Sequence, residues 1–149
     1  RRRVHPLEPD HVRLRGRTPY SEGLALMARC HIGLAMLEPV PNYLESYPTK
    51  LFEYMALGLP VVTSNFPLYR EIVERVGCGI CVDPRDPVAI AGGMRRLLEN
   101  PAEASDMGMR GRKAVRERFN WDTEAQKLIA FYALLLSDGA RPAARTGAA

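Results

Sequence analysis

Short apolar runs alternate with longer stretches of mixed polarity along most of this chain. Residues 31–37 (HIGLAML) are apolar almost throughout, as expected of a strand buried on both faces of a parallel sheet. Residues 60–64 (PVVTS) and 77–82 (GCGICV) predict two more short strands, the second closed by Asp83-Pro84. Residues 12–16 predict a fourth, ending at a glycine. Between these runs the spacing turns helical. Thr18-Pro19 reads as an N-cap followed by a first-turn proline, opening a helix with Leu24, Met27 and Ala28 in phase that ends near Cys30. Residues 38–47 predict a loop containing Pro39 and Pro41, and residues 48–57 a helix stopped by Gly58 in the left-handed conformation. After a turn at Asn65-Phe66-Pro67, residues 68–76 predict a short helix. A further helix carries Val88, Ala91, Met94 and Leu98 on one face and ends before Asn100-Pro101. The next runs from about Ala102 to Arg118, and the last over residues 121–136, with Leu128, Tyr132 and Leu135 on one stripe.

Strands alternating with helices predict the α/β class: a Rossmann-like parallel sheet with helices on both faces. The domain organisation follows from the same pattern. Residues 1–11 are a basic lead-in, residues 12–136 one domain, and residues 137–149 (SDGARPAARTGAA) a tail expected to be disordered. In such sheets ligands bind beyond the carboxyl ends of the strands. Three loops qualify: those after residues 12–16, 31–37 and 60–64.

At 149 residues the chain is long enough for one domain with a real core. It is 46% hydrophobic and 26% charged, an ordinary globular balance that argues against a disordered chain. No apolar run approaches the roughly 20 residues of a membrane helix. Arg1-Arg2-Arg3 leads into a polar stretch rather than an apolar signal region, so a cytoplasmic location is expected. The net charge of +4, from 21 basic and 17 acidic residues, suits an anionic ligand or peripheral contact with the inner face of an acidic membrane. Its basic residues are scattered, and no nucleic-acid partner is expected. Cys78 and Cys81 have CxxC spacing without a second pair or a histidine cluster, so all three cysteines read as buried thiols. On a strand an offset of three points the two side chains to opposite faces. His5, His11 and His31 are scattered, His31 reads as structural, and no metal site is expected. No GxGxxG follows a strand, which removes a nicotinamide-dependent reading.

The candidate chemistry lies in residues 45–60 (ESYPTKLFEYMALGLP), a loop that follows an apolar strand and opens a helix. Free backbone N–H groups and the positive end of the helix dipole favour a phosphate there. Pro48 fits this position, because its missing N–H would have had no helical partner. The helix is apolar nearly all round, through Leu51, Phe52, Tyr54, Met55, Ala56 and Leu57, and such a helix is normally buried. Glu53 sits in its middle and, if buried, needs partners. Sugar hydroxyls of a ligand would serve, and so would Lys50 three residues back. Glu45, eight residues before Glu53, reads alone as a solvated loop residue. Paired with Glu53, it reads as the acid at the opposite end of one ligand.

These residues resemble the retaining glycosyltransferases of the large family 4 type, which have the GT-B fold of two Rossmann-like domains. Glu45 and Glu53 match the E-x7-E signature of that family. Pro48 through Val62 match its wider pattern P-x-K-L-F-E-Y-M-A-x-G-x-P-V-V. Glu71-Ile72-Val73, Gly79-Ile80-Cys81-Val82-Asp83-Pro84, Asn100-Pro101 and Phe119-Asn120-Trp121 follow in the family's order, so the resemblance covers roughly residues 12–136. It implies transfer of a sugar from a nucleoside diphosphate sugar to an acceptor hydroxyl with retention, the chain supplying the donor-binding half. By position, Glu53 would hold the ribose and Glu45, the catalytic-site acid, the donor-sugar hydroxyls. The backbone of Ser46, Tyr47, Pro48, Thr49 and Lys50 would meet the sugar and diphosphate. The loop of Gly16, Arg17 and Thr18 would lie against the base.

The resemblance implies no cofactor beyond the donor itself. It implies an acceptor glycan, lipid or small molecule held by a further N-terminal domain, so the isolated chain is expected to be inactive. Many members have Gly-Phe-Gly where this chain has Ser46-Tyr47-Pro48. The family's Arg and Lys for the diphosphate lie on an earlier segment, which has no match here. Two alternatives stay open on the same fold: a non-catalytic nucleotide-binding or interaction module, and a nucleotide-sugar epimerase.

Overall fold

The computed structural model describes residues 12–138. The expected lead-in at residues 1–11 and most of the expected tail, residues 139–149, lie outside the described residues. The chain divides into two compact units, Arg1–Cys30 and His31–Ala149, and each is described by itself.

In the first unit, α1 spans Tyr20–Met27. Pro19 is its N-cap rather than its first helical residue, and Thr18 makes no capping hydrogen bond. The Pro19 carbonyl accepts the first helical bond, from Gly23 N–H at 2.9 Å. Residues 12–16 do not form the expected strand: they pair with no other segment among the described residues, and Val12 and Leu14 are exposed. A run this short gains strand structure only from ladder bonds to a neighbour. Gly16 does turn the chain, at φ +64°.

The second unit is built on three parallel strands in the order β1 (Gly33–Ala35), β2 (Val61–Ser64) and β3 (Gly79–Val82). Gly33 pairs with Val61 and Val61 with Gly79. The helices α2 (Pro41–Leu44) and α3 (Thr49–Leu57) connect β1 to β2, and α4 (Pro67–Val76) connects β2 to β3. α5 (Pro87–Glu99), α6 (Pro101–Glu117) and α7 (Trp121–Asp138) follow. Gly58 and Gly77 end α3 and α4 in the left-handed region, at φ 75° and 65°. Gly77 and Cys78 therefore belong to the helix end and not to β3. Asp86 caps α5, its carboxylate accepting from the N–H groups of Val88 and Ala89.

The period-two alternation of a strand places a core on each face of the sheet. Val61 joins Leu51, Met55, Ile72, Val73, Cys78 and Ala114 on one side. Its neighbour Val62 joins Leu97 and Met107 on the other, with Ile80, Val82 and Met94 packed against them. This is the expected α/β layering. β1 is less enclosed than its apolar run suggests, since Leu34 is 40% exposed between buried Gly33 and Ala35.

Two helix faces differ from expectation. α5 buries Gly93 and Leu97 and half-buries Ile90 and Met94, whereas Val88, Ala91 and Leu98 are exposed. Its buried phase lies one residue away from the expected stripe, chosen by contact with β2, β3 and α6. On α7, Leu128, Tyr132 and Leu135 are all exposed.

The cysteines also divide differently. Cys78 lies in the core cluster with Met55 and half-buried Cys81 packs against that same cluster, because Cys78 precedes the strand and escapes its alternation. Cys30 is exposed. Burial pushes the Cys78 thiol up to about 11 and the Cys81 thiol up to about 12. Brief labelling at pH 8 with a maleimide, followed by peptide mass spectrometry, is expected to modify Cys30 and spare the other two until the protein is unfolded. Equal labelling of Cys78 would contradict this packing.

Candidate functional site

The loop leaving β1 is held from both sides by residues far away in sequence. Thr63 and Ser64, at the carboxyl end of β2, are fully buried polar residues. The Thr63 hydroxyl donates to the Ala35 carbonyl at 3.0 Å. Ser64 Oγ accepts from Leu37 N–H and donates to the Leu37 carbonyl, each at 2.9 Å. Further on, the Tyr69 hydroxyl of α4 donates to the Tyr43 carbonyl at 3.0 Å. Tyr69 is fully buried, with its ring 5.1 Å from that of Phe66. Burial first, and Tyr43 second, push its phenol above the ordinary value. Tyr69 is therefore a neutral donor throughout the physiological range. Sequence reasoning missed these three anchors. The available signal was a Thr-Ser pair ending an otherwise apolar strand.

The Tyr69 anchor holds α2, a four-residue helix inside the segment expected to be a loop. Pro41 occupies its first turn and extended Val40 its N-cap. Glu45 follows as the C-cap and is exposed. Ser46 is exposed and donates its hydroxyl back to the Asn42 carbonyl. The Tyr47 ring stands edge-on to Phe52, with centroids 5.9 Å apart. Pro48 is the extended N-cap of α3, at φ −74° and ψ 122°, and no side chain caps this helix. Its first N–H groups, on exposed Thr49 and half-buried Lys50, thus face the loop without a capping side chain.

α3 is less enclosed than its composition suggested. Leu51 and Met55 are fully buried, Phe52, Glu53 and Tyr54 half-buried, and Ala56 exposed. Gly33 makes room for this helix: a Cβ there would lie 2.3 Å from Tyr54 Cγ. Glu53 is engaged in an interaction within the protein. Its partial exposure keeps the cost of its charge far below that of full burial.

The structure thus gathers Glu45, Ser46, Tyr47, Pro48, Thr49, Lys50 and Glu53 on one loop–helix, after the carboxyl end of β1. Gly16, Arg17 and Thr18 belong to the separate first unit. An apolar hollow of about 470 Å³ adjoins the loop, walled by Tyr47, Phe52, Ile72, Phe119 and Trp121. A larger open hollow, about 600 Å³ along α6 beside Arg112, Lys113 and Arg116, touches none of the site residues. Among the described residues no three His, Cys, Asp or Glu side chains cluster as a metal site. No helix among them is long and apolar enough to cross a membrane.

The parallel sheet, flanked by helices, matches the GT-B glycosyltransferase fold. A superposition on sucrose-phosphate synthase from Thermosynechococcus elongatus has a TM-score of 0.61 at 31% identity, covering 71% of this chain and 26% of that one. Residues 4–114 match the model of glycosyl transferases group 1, and the chain belongs to that family. It is 29% identical over 121 residues to the glycogen synthase of Mycobacterium tuberculosis, covering 81% of this chain and 28% of the relative. It is 28% identical over 133 residues to the phosphatidyl-myo-inositol mannosyltransferase of Mycobacterium leprae, covering 89% and 34%. The chain thus spans about a third or less of the curated relatives it matches.

Proposed function

We propose that this chain supplies the donor-binding half of a retaining glycosyltransferase of the family 4 type. The whole protein would transfer a sugar from a nucleoside diphosphate sugar to an acceptor hydroxyl. One observation carries the reading: the uncapped N-terminus of α3 lies between Glu45 on the loop and Glu53 further along the helix. In this reading Glu53 accepts hydrogen bonds from the ribose hydroxyls, and Glu45 holds hydroxyls of the donor sugar. The N–H groups at the start of α3 favour the diphosphate, whose charge grows as the sugar departs. Gly16, Arg17 and Thr18, in the first unit, are the proposed contacts of the base. The acceptor, a glycan, lipid or small molecule, binds to another part of the protein, so the 149-residue chain alone is inactive. Its excess positive charge suits peripheral contact with an anionic membrane face.

Calorimetric titration of the full-length protein separates the two acids. The probes are UDP, GDP and ADP, each free and as a glucose or mannose conjugate. Glu53→Gln is expected to weaken a free diphosphate and its conjugate alike, by about 1–3 kcal/mol, because a charged acceptor becomes neutral. Glu45→Gln is expected to leave the free diphosphate nearly unaffected and to lower conjugate affinity and kcat. Equal losses with and without the sugar for Glu45→Gln remove its assignment. Normal nucleotide binding by Glu53→Gln, with a lowered melting temperature, makes Glu53 a structural ion-pair residue instead.

A further inference from the structure

We propose that Phe119 is a positioning residue for the loop carrying Glu45 and Ser46, acting through a row of three aromatic rings. The inference rests on the reading of that loop as the donor-sugar contact. The Tyr47 ring meets Phe52 at 5.9 Å and 74°, and Phe52 meets Phe119 at 5.4 Å and 53°. Both separations and tilts fall in the range where ring edges and faces attract. The Arg118 guanidinium lies 5.3 Å from the centroid of Phe119 and adds a cation–π contact at the far end of the row. The row therefore runs from the loop, across the first turn of α3, to the junction of α6 and α7.

Its position gives it a role that the other anchors lack. Ser64 and Tyr69 hold the loop at Leu37 and Tyr43, both upstream of Glu45. Ser46 bonds only within the same local segment, to Asn42. Between Glu45 and the buried Leu51 of α3, the tie to a distant part of the fold runs through the Tyr47 ring. Tyr47 is 47% exposed, so burial alone does not pin it. Tyr47, Ile72 and Phe119 also form the common wall of two hollows, of about 470 and 190 Å³. Phe52 and Phe119 also pack against the core of Leu51, Met55 and Ile72, so the row ties Tyr47 to that core. Without the Phe119 ring, one side of Phe52 and then Tyr47 gain room to shift, and the backbone from Glu45 to Tyr47 gains freedom with them.

The test uses the full-length protein with Phe119→Leu, which keeps an apolar side chain, and Phe119→Tyr, which keeps the ring. Backbone 15N order parameters are measured at Glu45, Ser46, Tyr47, Thr49 and Lys50 and at β2. Affinity is measured for the free nucleoside diphosphate and for its sugar conjugate. In Phe119→Leu, the order parameters of the loop are expected to fall from about 0.85 toward about 0.6, while those of β2 stay unchanged. Conjugate affinity is expected to fall about three- to tenfold, as the loss of one aromatic pair implies, with the free diphosphate unaffected. Phe119→Tyr is expected to restore both. Unchanged order in the loop, an equal fall in β2, equal losses for the two ligands or failure of the tyrosine to rescue would each overturn the proposal. If the wild-type protein binds none of the nucleotides, the reading of the site falls, while the order parameters still decide whether the rings hold the loop.

Discussion

Gly108→Ala is expected to lower the stability of the protein by about 3 kcal/mol, shifting its melting temperature down by roughly 10 °C. Gly108 is buried where α6 crosses the end of α3. A Cβ built there lies 2.0 Å from the Gly58 carbonyl oxygen and 2.8 Å from its carbon. Neither is the movable end of a side chain. Gly58 is the left-handed cap of α3, and its N–H and that of Leu59 bond to Met55 and Tyr54 at 3.0 and 2.9 Å. Backing away would break that cap, so α6 must move instead. Such a shift opens the contact of Gly111 with Met55 and Cys78, which a Cβ would meet at 3.2–3.5 Å. Alanine's better helix propensity returns about 1 kcal/mol, too little to offset the clash. Gly92→Ala is the matched control. It sits in α5 with nothing within 4 Å of its Cβ position and is expected to stabilise. Thermal melts of both variants decide the matter, and a Gly108→Ala protein as stable as wild type would refute the close crossing.

Tyr69→Ala is expected to cost about 3–5 kcal/mol, the range for removing a large buried aromatic side chain. Tyr69→Phe separates the ring from the hydroxyl. Losing only the bond to the Tyr43 carbonyl is expected to cost about 1 kcal/mol. The gap between wild type and Tyr69→Phe should also depend on pH. Burial raises the phenol in the folded state above its ordinary value. The stability it contributes is therefore fully present below about pH 10, the unfolded value, and is lost as pH rises through the folded value. Denaturant unfolding at pH 8 and above pH 10 measures this, and a gap that widens at high pH would contradict the burial argument. Because Tyr43 lies two residues before Glu45, Tyr69→Phe is also expected to loosen the loop that presents this acid.

Three strands and the Gly58 stop were legible from short-range pattern alone, whereas Gly77 read as the start of a strand and proved to be a helix stop. β2 and β3 each hold four residues, and Gly58 and Gly77 end the helices that precede them. A run of valines before a polar turn has few other ways to satisfy its backbone while burying its side chains. The loop–helix from Glu45 to Gly58 was equally plain. Its order of proline, apolar run and glycine is punctuation that acts on the backbone within one or two turns.

Other features are set by partners distant along the chain. Residues 12–16 have strand-like composition but no neighbour to pair with among the described residues. The buried phase of α5 and the shared core side of Cys78 and Cys81 depend on which elements pack against them. The anchors of the site loop join residues 26 to 28 apart: Tyr69 to Tyr43, Ser64 to Leu37 and Thr63 to Ala35. Periodicity reports the apolar face an element offers. It does not report which part of that face another element covers, nor which carbonyl a buried hydroxyl will find. Those depend on the assembled sheet and its packed helices, where each buried polar group must be satisfied by whatever the fold brings within reach.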